Sequence, residues 1–285
     1  MSGPKPRTIA VLGAGTMGHG IAHAAMTAGF DTALYDVSEA AVAKGRSAIE
    51  AVIRKSVELG KATESDAASM RSRLRTTTSV ADAVGNADVV IEAAPEKIDL
   101  KLALFKDVEA AAPAHAVFAS NTSALSITEM AAVLANPGRL GGMHFFNPVH
   151  RMKLIEIVKA LDTTPDTIAV MEEVSAKMGK ETVLVKESPG FVTSRINAMI
   201  GNEAFYMLQE GVASARDFDK ALKLGLNHPM GPFELVDLVG LDTRLSILQY
   251  LHRTLGEKFR PSPLLEQHVK DGRLGRKVGK GVYDY

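Results

Sequence analysis

The chain has 285 residues, and its 33 Lys plus Arg balance 33 Asp plus Glu, so no global field draws it onto nucleic acid or an acidic membrane. Its 46% hydrophobic and 23% charged residues are globular in character, and its length suits two domains; the lack of Cys excludes disulfides, a thiolate nucleophile, iron–sulfur clusters and cysteine-bound zinc. No apolar run reaches the ~18 residues of a membrane span, and only Met1 to Arg7 precede the first apolar stretch, so a soluble, cytoplasmic protein without a targeting peptide is expected.

Thr8–Leu12 is a short unbroken apolar run, as expected of a strand buried on both faces. A helix is predicted over 18–28, stopped by Gly29, and Thr32–Tyr35 follows as a second strand closed by Asp36. Together these make a βαβ unit. Residues 38–75 are too many for one crossover helix and include Gly60, which predicts a two-helix hairpin with its second helix entered at Thr63-Glu-Ser-Asp66. Strands at Asp88–Ile91 and Val117–Ala119 flank a helix over Ile98–Ala111, and Ser126-Ile-Thr-Glu129 reads as a capping box. Leu140–Phe145, Leu154–Val158 and Thr182–Val185 complete the strands. From Phe191 onward helix follows helix: Ser214 to Asp217 caps one, Gly231-Pro232 starts another, and Asp242 caps a third. The expected fold is therefore α/β, with a Rossmann-like doubly wound sheet over 1–187 and a smaller all-helical domain over 188–285.

Gly13-Ala14-Gly15-Thr16-Met17-Gly18 lies between the first strand and the first helix. Glycines there permit the tight turn, the approach of a pyrophosphate and close helix–strand packing. Asp36 follows Gly13 by 23 residues, where a carboxylate accepts both ribose hydroxyls. It would repel a 2′-phosphate, so the expected cofactor is NAD rather than NADP. His19 and His23 are spaced i, i+4, yet no third ligand accompanies them, and they read as ordinary polar helix positions; no metal site is expected.

Three further features fall on or after predicted strands. Ser120-Asn121-Thr122-Ser123 is either a ligand-facing loop or a plain helix-entry turn. His144 sits among apolar neighbours that hold an imidazole and shed water. Glu156 interrupts an apolar strand; it is either buried and paired, with His144 as one partner, or solvent-facing on a half-exposed strand.

Taken in order, these blocks resemble the L-3-hydroxyacyl-CoA dehydrogenases, the bacterial 3-hydroxybutyryl-CoA enzymes above all. The likeness runs from end to end. It includes Gly13 to Gly18, Ala119 to Ser123, His144 to Pro148, Met152 to Leu154 with Glu156, Pro189-Gly-Phe191, Asn227 to Phe233, Gly240 to Asp242, and Gly275 to Tyr283. The resemblance implies reversible, NAD-dependent oxidation of an L-3-hydroxyacyl-CoA to a 3-ketoacyl-CoA. It implies His144 as general acid/base, Glu156 as its orienting carboxylate, and Ser120 as a hydrogen-bond partner of the reacting oxygen, between cofactor and substrate. It also implies NAD contacts from Glu96, Lys101, Asn147 and Lys277, CoA phosphate contacts near Arg54 and Lys55, and a homodimer joined through the helical domain. For Glu96 and Lys101 the plainer alternative is a solvated helix-entry pair, and for Arg54 and Lys55 a solvated helix face. One position departs from the pattern: Ser194 stands where the family commonly has a substrate-touching Asn, and Asn197, one turn on, is the candidate substitute. Two other functions fit the same residues less well, a dehydrogenase of a non-thioester 3-hydroxy acid such as a sugar acid, and a non-catalytic NAD-binding protein.

Overall fold

The computed structural model describes residues 5–285, which divide into two compact units at Glu187/Ser188. The first unit runs β1 (Thr8–Leu12), α1 (Thr16–Thr27), β2 (Asp31–Tyr35), α2 (Glu39–Glu58), α3 (Glu64–Ser72), β3 (Leu74–Thr77), α4 (Val80–Val84) and β4 (Val89–Glu92). It continues through α5 (Ile98–Ala111), β5 (Val117–Ser120), α6 (Ile127–Ala131), β6 (Leu140–Phe145), β7 (Leu154–Lys159), α7 (Pro165–Lys177) and β8 (Glu181–Lys186).

Among the described residues eight strands form one sheet in the order β3-β2-β1-β4-β5-β6-β7-β8. All neighbours are parallel except β6 and β7, which are antiparallel. The order turns back at β1, and β4 starts the second half beside it. That reversal opens a crevice at the carboxyl ends of the strands, the place where doubly wound sheets bind ligands. Both sheet faces are covered, which is why Ile9–Leu12 of β1 and Val89–Ile91 of β4 are continuously apolar. Ile9 and Val11 of β1 join Ile21 of α1, Ile49 and Ile53 of α2 and Met70 of α3 in one core. The alternate residues, Ala10 and Leu12, are equally buried, as are Phe118 of β5 and Phe105 of α5, whose ring centroids lie 6.4 Å apart. Each such aliphatic side chain taken fully from water contributes about 1.5–3 kcal/mol.

The predicted hairpin forms as α2 and α3, turning at Gly60, and Thr63 and Asp66 complete a reciprocal capping box. Its expected end at 75 is a correction: Leu74 already belongs to β3, the edge strand beside β2. Its half-exposed Leu-Arg-Thr-Thr lacks an apolar run, and pairing with β2 rather than propensity makes it a strand. The helix α7 also escaped the sequence reading, although Thr164 caps it and Pro165 opens it. At α6 the Ser126 hydroxyl accepts from the Glu129 amide at 3.1 Å, as expected of its cap. The carboxylate that meets the helix-entry amides of Ile127 and Thr128 is Glu187, at 2.9 and 3.0 Å.

The second unit comprises α8 (Thr193–Gln209), α9 (Ala215–Gly225), α10 (Pro232–Val239), α11 (Leu241–Leu255) and α12 (Pro263–Lys270) around Phe205, Phe218, Phe233, Leu248 and Leu251. Ser214 caps α9 and Pro232 opens α10. Asp242 is a correction, because it lies inside the first turn of α11 and its carboxylate receives the Lys277 ammonium at 2.6 Å. Asp237 ties down the chain end by accepting from the amides of Val282 and Tyr283 at 2.8 and 2.9 Å. None of the described helices is long and apolar enough to cross a membrane.

The β1–α1 turn is the tightest constraint in the first unit. Gly13 has φ +108°, and a Cβ at Gly18 would lie 1.6 Å from the Gly13 carbonyl oxygen. Gly18→Ala is therefore expected to lower stability by about 1–3 kcal/mol, read as a fall in the denaturant midpoint at constant slope. An unchanged midpoint would show that this approach is not a constraint.

Candidate active site

Strand register brings the motif residues to one edge of the sheet. Leu12 pairs with Tyr35 and with Glu92, Glu92 with Ser120, and Ser120 with Gly142. The turn Gly13–Gly15, Asp36, the Ser120–Ser123 loop and His144 therefore all sit at or just beyond the carboxyl ends of neighbouring strands. Asn121 reinforces the alignment, its side-chain oxygen accepting from the Phe145 amide at 2.9 Å.

At the dinucleotide turn, α1 begins after Gly15 with no side chain capping its first amides. A Cβ built on Gly15 would meet nothing within 4 Å, so the turn opens to space where a pyrophosphate fits against those amides and the positive helix end. Asp36 is held by the amides of Ala14 and Val37, each at 2.8 Å on a different carboxylate oxygen. Each oxygen keeps a lone pair for a ribose hydroxyl, and the residues present fit NAD.

His144 and Glu156 face each other directly across the antiparallel β6–β7 pair. The His144 Nδ1 to Glu156 Oε2 distance is 2.7 Å, with Glu156 at 0% and His144 at 7% exposure. Of the two readings open in the sequence, burial and pairing holds. An ionised carboxylate only accepts, so His144 donates from Nδ1 and its neutral tautomer presents Nε2 as an acceptor. Phe146 lies against the ring, with centroids 4.5 Å apart.

A second network surrounds Ser120. Its hydroxyl donates to Glu92 Oε2 at 2.5 Å, and Glu92 Oε1 receives the Ala94 amide and the Lys101 ammonium, both at 2.6 Å. Lys101 is 1% exposed and also reaches the Ala94 carbonyl at 3.1 Å and Glu96 at 3.2 Å. An ammonium so enclosed fixes the two glutamates, and a direct ligand contact would require one of these pairs to open. Glu96 is exposed and accepts from the Thr122 hydroxyl at 2.6 Å and the Ser123 amide at 2.9 Å. The plain alternative of a solvated pair thus fails for Lys101. Glu92 was not picked out in the sequence, although a carboxylate ending the apolar run Val89-Val-Ile-Glu92 is a legible signal.

Asn147 is exposed beyond β6, at a cis peptide bond to Pro148. Arg54 and Lys55 are exposed on α2 and both pair with Glu58. Ser194 and Asn197 lie in the first turns of α8, and Lys277 is exposed near the chain end. His19 is half-buried with Nδ1 on the Gly15 carbonyl. His23, expected as an ordinary polar position, is instead buried, and burial pulls its imidazole down to about 4. Among the described residues no group of three or more His, Asp or Glu is placed to hold a metal ion.

Residues 8–188 match the model of the 3-hydroxyacyl-CoA dehydrogenase NAD-binding domain, and residues 190–285 match that of the 3-hydroxyacyl-CoA dehydrogenase C-terminal domain. The chain belongs to the 3-hydroxyacyl-CoA dehydrogenase family, and it is an NAD-dependent oxidoreductase. It is 45% identical over 280 residues to a probable 3-hydroxybutyryl-CoA dehydrogenase of Bacillus subtilis, covering 98% of this chain and 97% of that one. The crystal structure of (S)-3-hydroxybutyryl-CoA dehydrogenase from Ralstonia eutropha superposes with a TM-score of 0.95 at 43% identity, covering 99% of each chain. FadB2 of M. tuberculosis gives the same TM-score at 36% identity, again covering 99% of each chain.

Asp36→Ala should weaken NADH binding by about tenfold or more, the scale of a lost charged hydrogen bond. Fluorescence titration of the folded protein measures it. An unchanged dissociation constant would remove Asp36 from the ribose site.

Proposed function

We propose that the chain oxidises the 3-hydroxyl of a short-chain L-3-hydroxyacyl-CoA, 3-hydroxybutyryl-CoA foremost, to the 3-ketoacyl-CoA, and that it runs the reverse reduction. The observation that carries this reading is the buried His144–Glu156 pair on the same sheet edge as the dinucleotide turn. Relatives named for 3-hydroxybutyryl-CoA support the short acyl chain.

Oxidation removes a proton from the hydroxyl oxygen and a hydride from C3. NAD supplies the hydride acceptor. His144 Nε2 takes the proton, so alkoxide character does not build up unaided. Glu156 keeps the imidazole in the accepting tautomer and balances the imidazolium that forms. In the reduction His144 returns that proton to the carbonyl oxygen. Ser120 lies between cofactor and substrate; Ser194 and Asn197 serve the substrate, Glu96, Asn147 and Lys277 the cofactor, and Lys101 acts through the glutamates it holds. Arg54 and Lys55 meet the CoA phosphates. The second unit joins two copies into a homodimer, a reading supported by exposed Leu224, Leu226 and Leu238 at 78%, 66% and 51%. Work in the cytoplasm on short-chain fatty acid and butanoate metabolism follows from the same reading.

Purified protein should consume NADH rapidly when acetoacetyl-CoA is added, and much more slowly with NADPH. Free CoA should inhibit. A folded protein that binds NADH yet consumes neither cofactor, and ignores CoA, would contradict the thioester reading and favour a non-thioester hydroxy acid.

His144→Gln should lower turnover by about 10²–10⁴. In the wild type, oxidation should fall as pH drops, because a protonated imidazole has no lone pair to receive the substrate proton. Retained turnover with an unchanged pH profile in the variant would remove His144 from this role.

A further inference from the structure

α1 carries His19 and His23 one turn apart, with Gly20 between them. A Cβ on Gly20 would come within 2.9 Å of Val149, so the glycine lets the loop between β6 and β7 seat directly on the helix. That contact brings His150 edge-on to His23, with ring centroids 6.4 Å apart. Lys180, just ahead of β8, braces the same loop by donating to the Val149 and Met152 carbonyls at 2.6 and 2.7 Å. Arg151 from the loop and Lys61 from the α2–α3 turn add their charges beside His150.

This surface is unbalanced although the whole chain is neutral. His23 is 8% exposed and its Nδ1 has no hydrogen-bond partner. The charged groups acting on it, His150, His19 and Lys180, are all basic. Desolvation, then Arg151, Lys180, His19 and Lys61, pull the His150 imidazole below its ordinary range, and desolvation pulls the Lys180 ammonium down as well. Among the described residues no carboxylate forms an ion pair with any of these groups. Basic groups gathered without an acid hold their protons less tightly, and an anion in their midst reverses that cost. A single carboxylate is matched by one guanidinium. A phosphomonoester or diphosphate brings about two charges and several acceptor oxygens, which suit the Arg151 fork, the Lys61 ammonium and imidazole N–H groups together.

We propose that His150, Arg151, Lys61 and His19, braced by Lys180, form a second phosphate site, other than the dinucleotide turn, for a phosphomonoester or diphosphate group. It adds to the cations proposed on α2 and rests on the thioester reading in one respect only. CoA, which carries both groups, is then one source of the phosphate, and a free phosphate compound is the other.

The test uses protein saturated with NADH, so that the dinucleotide turn is filled, and calorimetric titration with inorganic pyrophosphate and with CoA. His150 and Arg151 are exposed, so His150→Gln with Arg151→Gln leaves the core intact. The double variant should bind pyrophosphate about tenfold or more weakly, with NADH affinity and melting temperature unchanged. If CoA is the source, its affinity falls by a similar factor, and dephospho-CoA, which lacks the phosphomonoester, loses less. If a free phosphate compound is the source, pyrophosphate binding falls and CoA binding does not. Pyrophosphate and CoA that bind the double variant as tightly as the wild type would overturn the site, and a loss confined to Arg54→Gln and Lys55→Gln would then place the CoA phosphates on α2 alone. An equal loss from Arg75→Gln, on the edge strand β3, would show a diffuse field and would overturn it too. A failed acetoacetyl-CoA assay would contradict the proposed substrate and leave the pyrophosphate measurement standing.

Discussion

The buried charge of Glu156 is the constraint on which the rest of the site depends. A carboxylate at 0% exposure in an apolar strand must be paired, and His144 pairs it from the facing position of the neighbouring strand. Removing one member of such a pair typically costs about 3–5 kcal/mol. The pairing exists because β7 runs antiparallel to β6 in an otherwise parallel sheet. Direct cross-strand opposition then puts both side chains on one face. The same geometry that satisfies the charge selects the tautomer, so the solution to a burial problem also orients the imidazole for the base role proposed for it.

The parallel part of the sheet supplies the partner chemistry. The reversal of strand order at β1 gathers the dinucleotide turn, Asp36 and the Ser120 loop at one edge. The open space beside Gly15 and the uncapped start of α1 suit a phosphate, and two backbone amides fix the Asp36 carboxylate, which suits a ribose. Behind this edge, Glu92 and Lys101 form a buried ion pair that meets Ser120. The two buried side chains Glu92 and Glu156 are thus hydrogen-bonded to a hydroxyl and to an imidazole, respectively.

Much of this was legible in the residues. An unbroken apolar run marks β1, and the spacing from Gly13 to Asp36 locates the turn and its acid, because both signals are local. The long-range features were not. β3 is a strand only because β2 pairs with it, and Asp242 turned from cap to ion-pair partner because Lys277 comes from 35 residues away. The partner of Glu156 was one of two open readings until the antiparallel register was known. In the sequence Lys101 reads as a cofactor contact or as half of a solvated helix-entry pair with Glu96, and only the fold shows its ammonium enclosed by Glu92 and Glu96. Glu92 itself ends an apolar strand, and its contact with Ser120 appears only when register sets the two side by side.

The most direct test of the account is the tautomer of His144, read from the nitrogen NMR shifts of its imidazole at a pH where the ring is neutral. The account predicts a protonated Nδ1 and an unprotonated Nε2 in the wild type, and loss of that preference in Glu156→Gln. A proton resident on Nε2 in the wild type would contradict it, because the ring would then have nothing with which to receive the substrate proton.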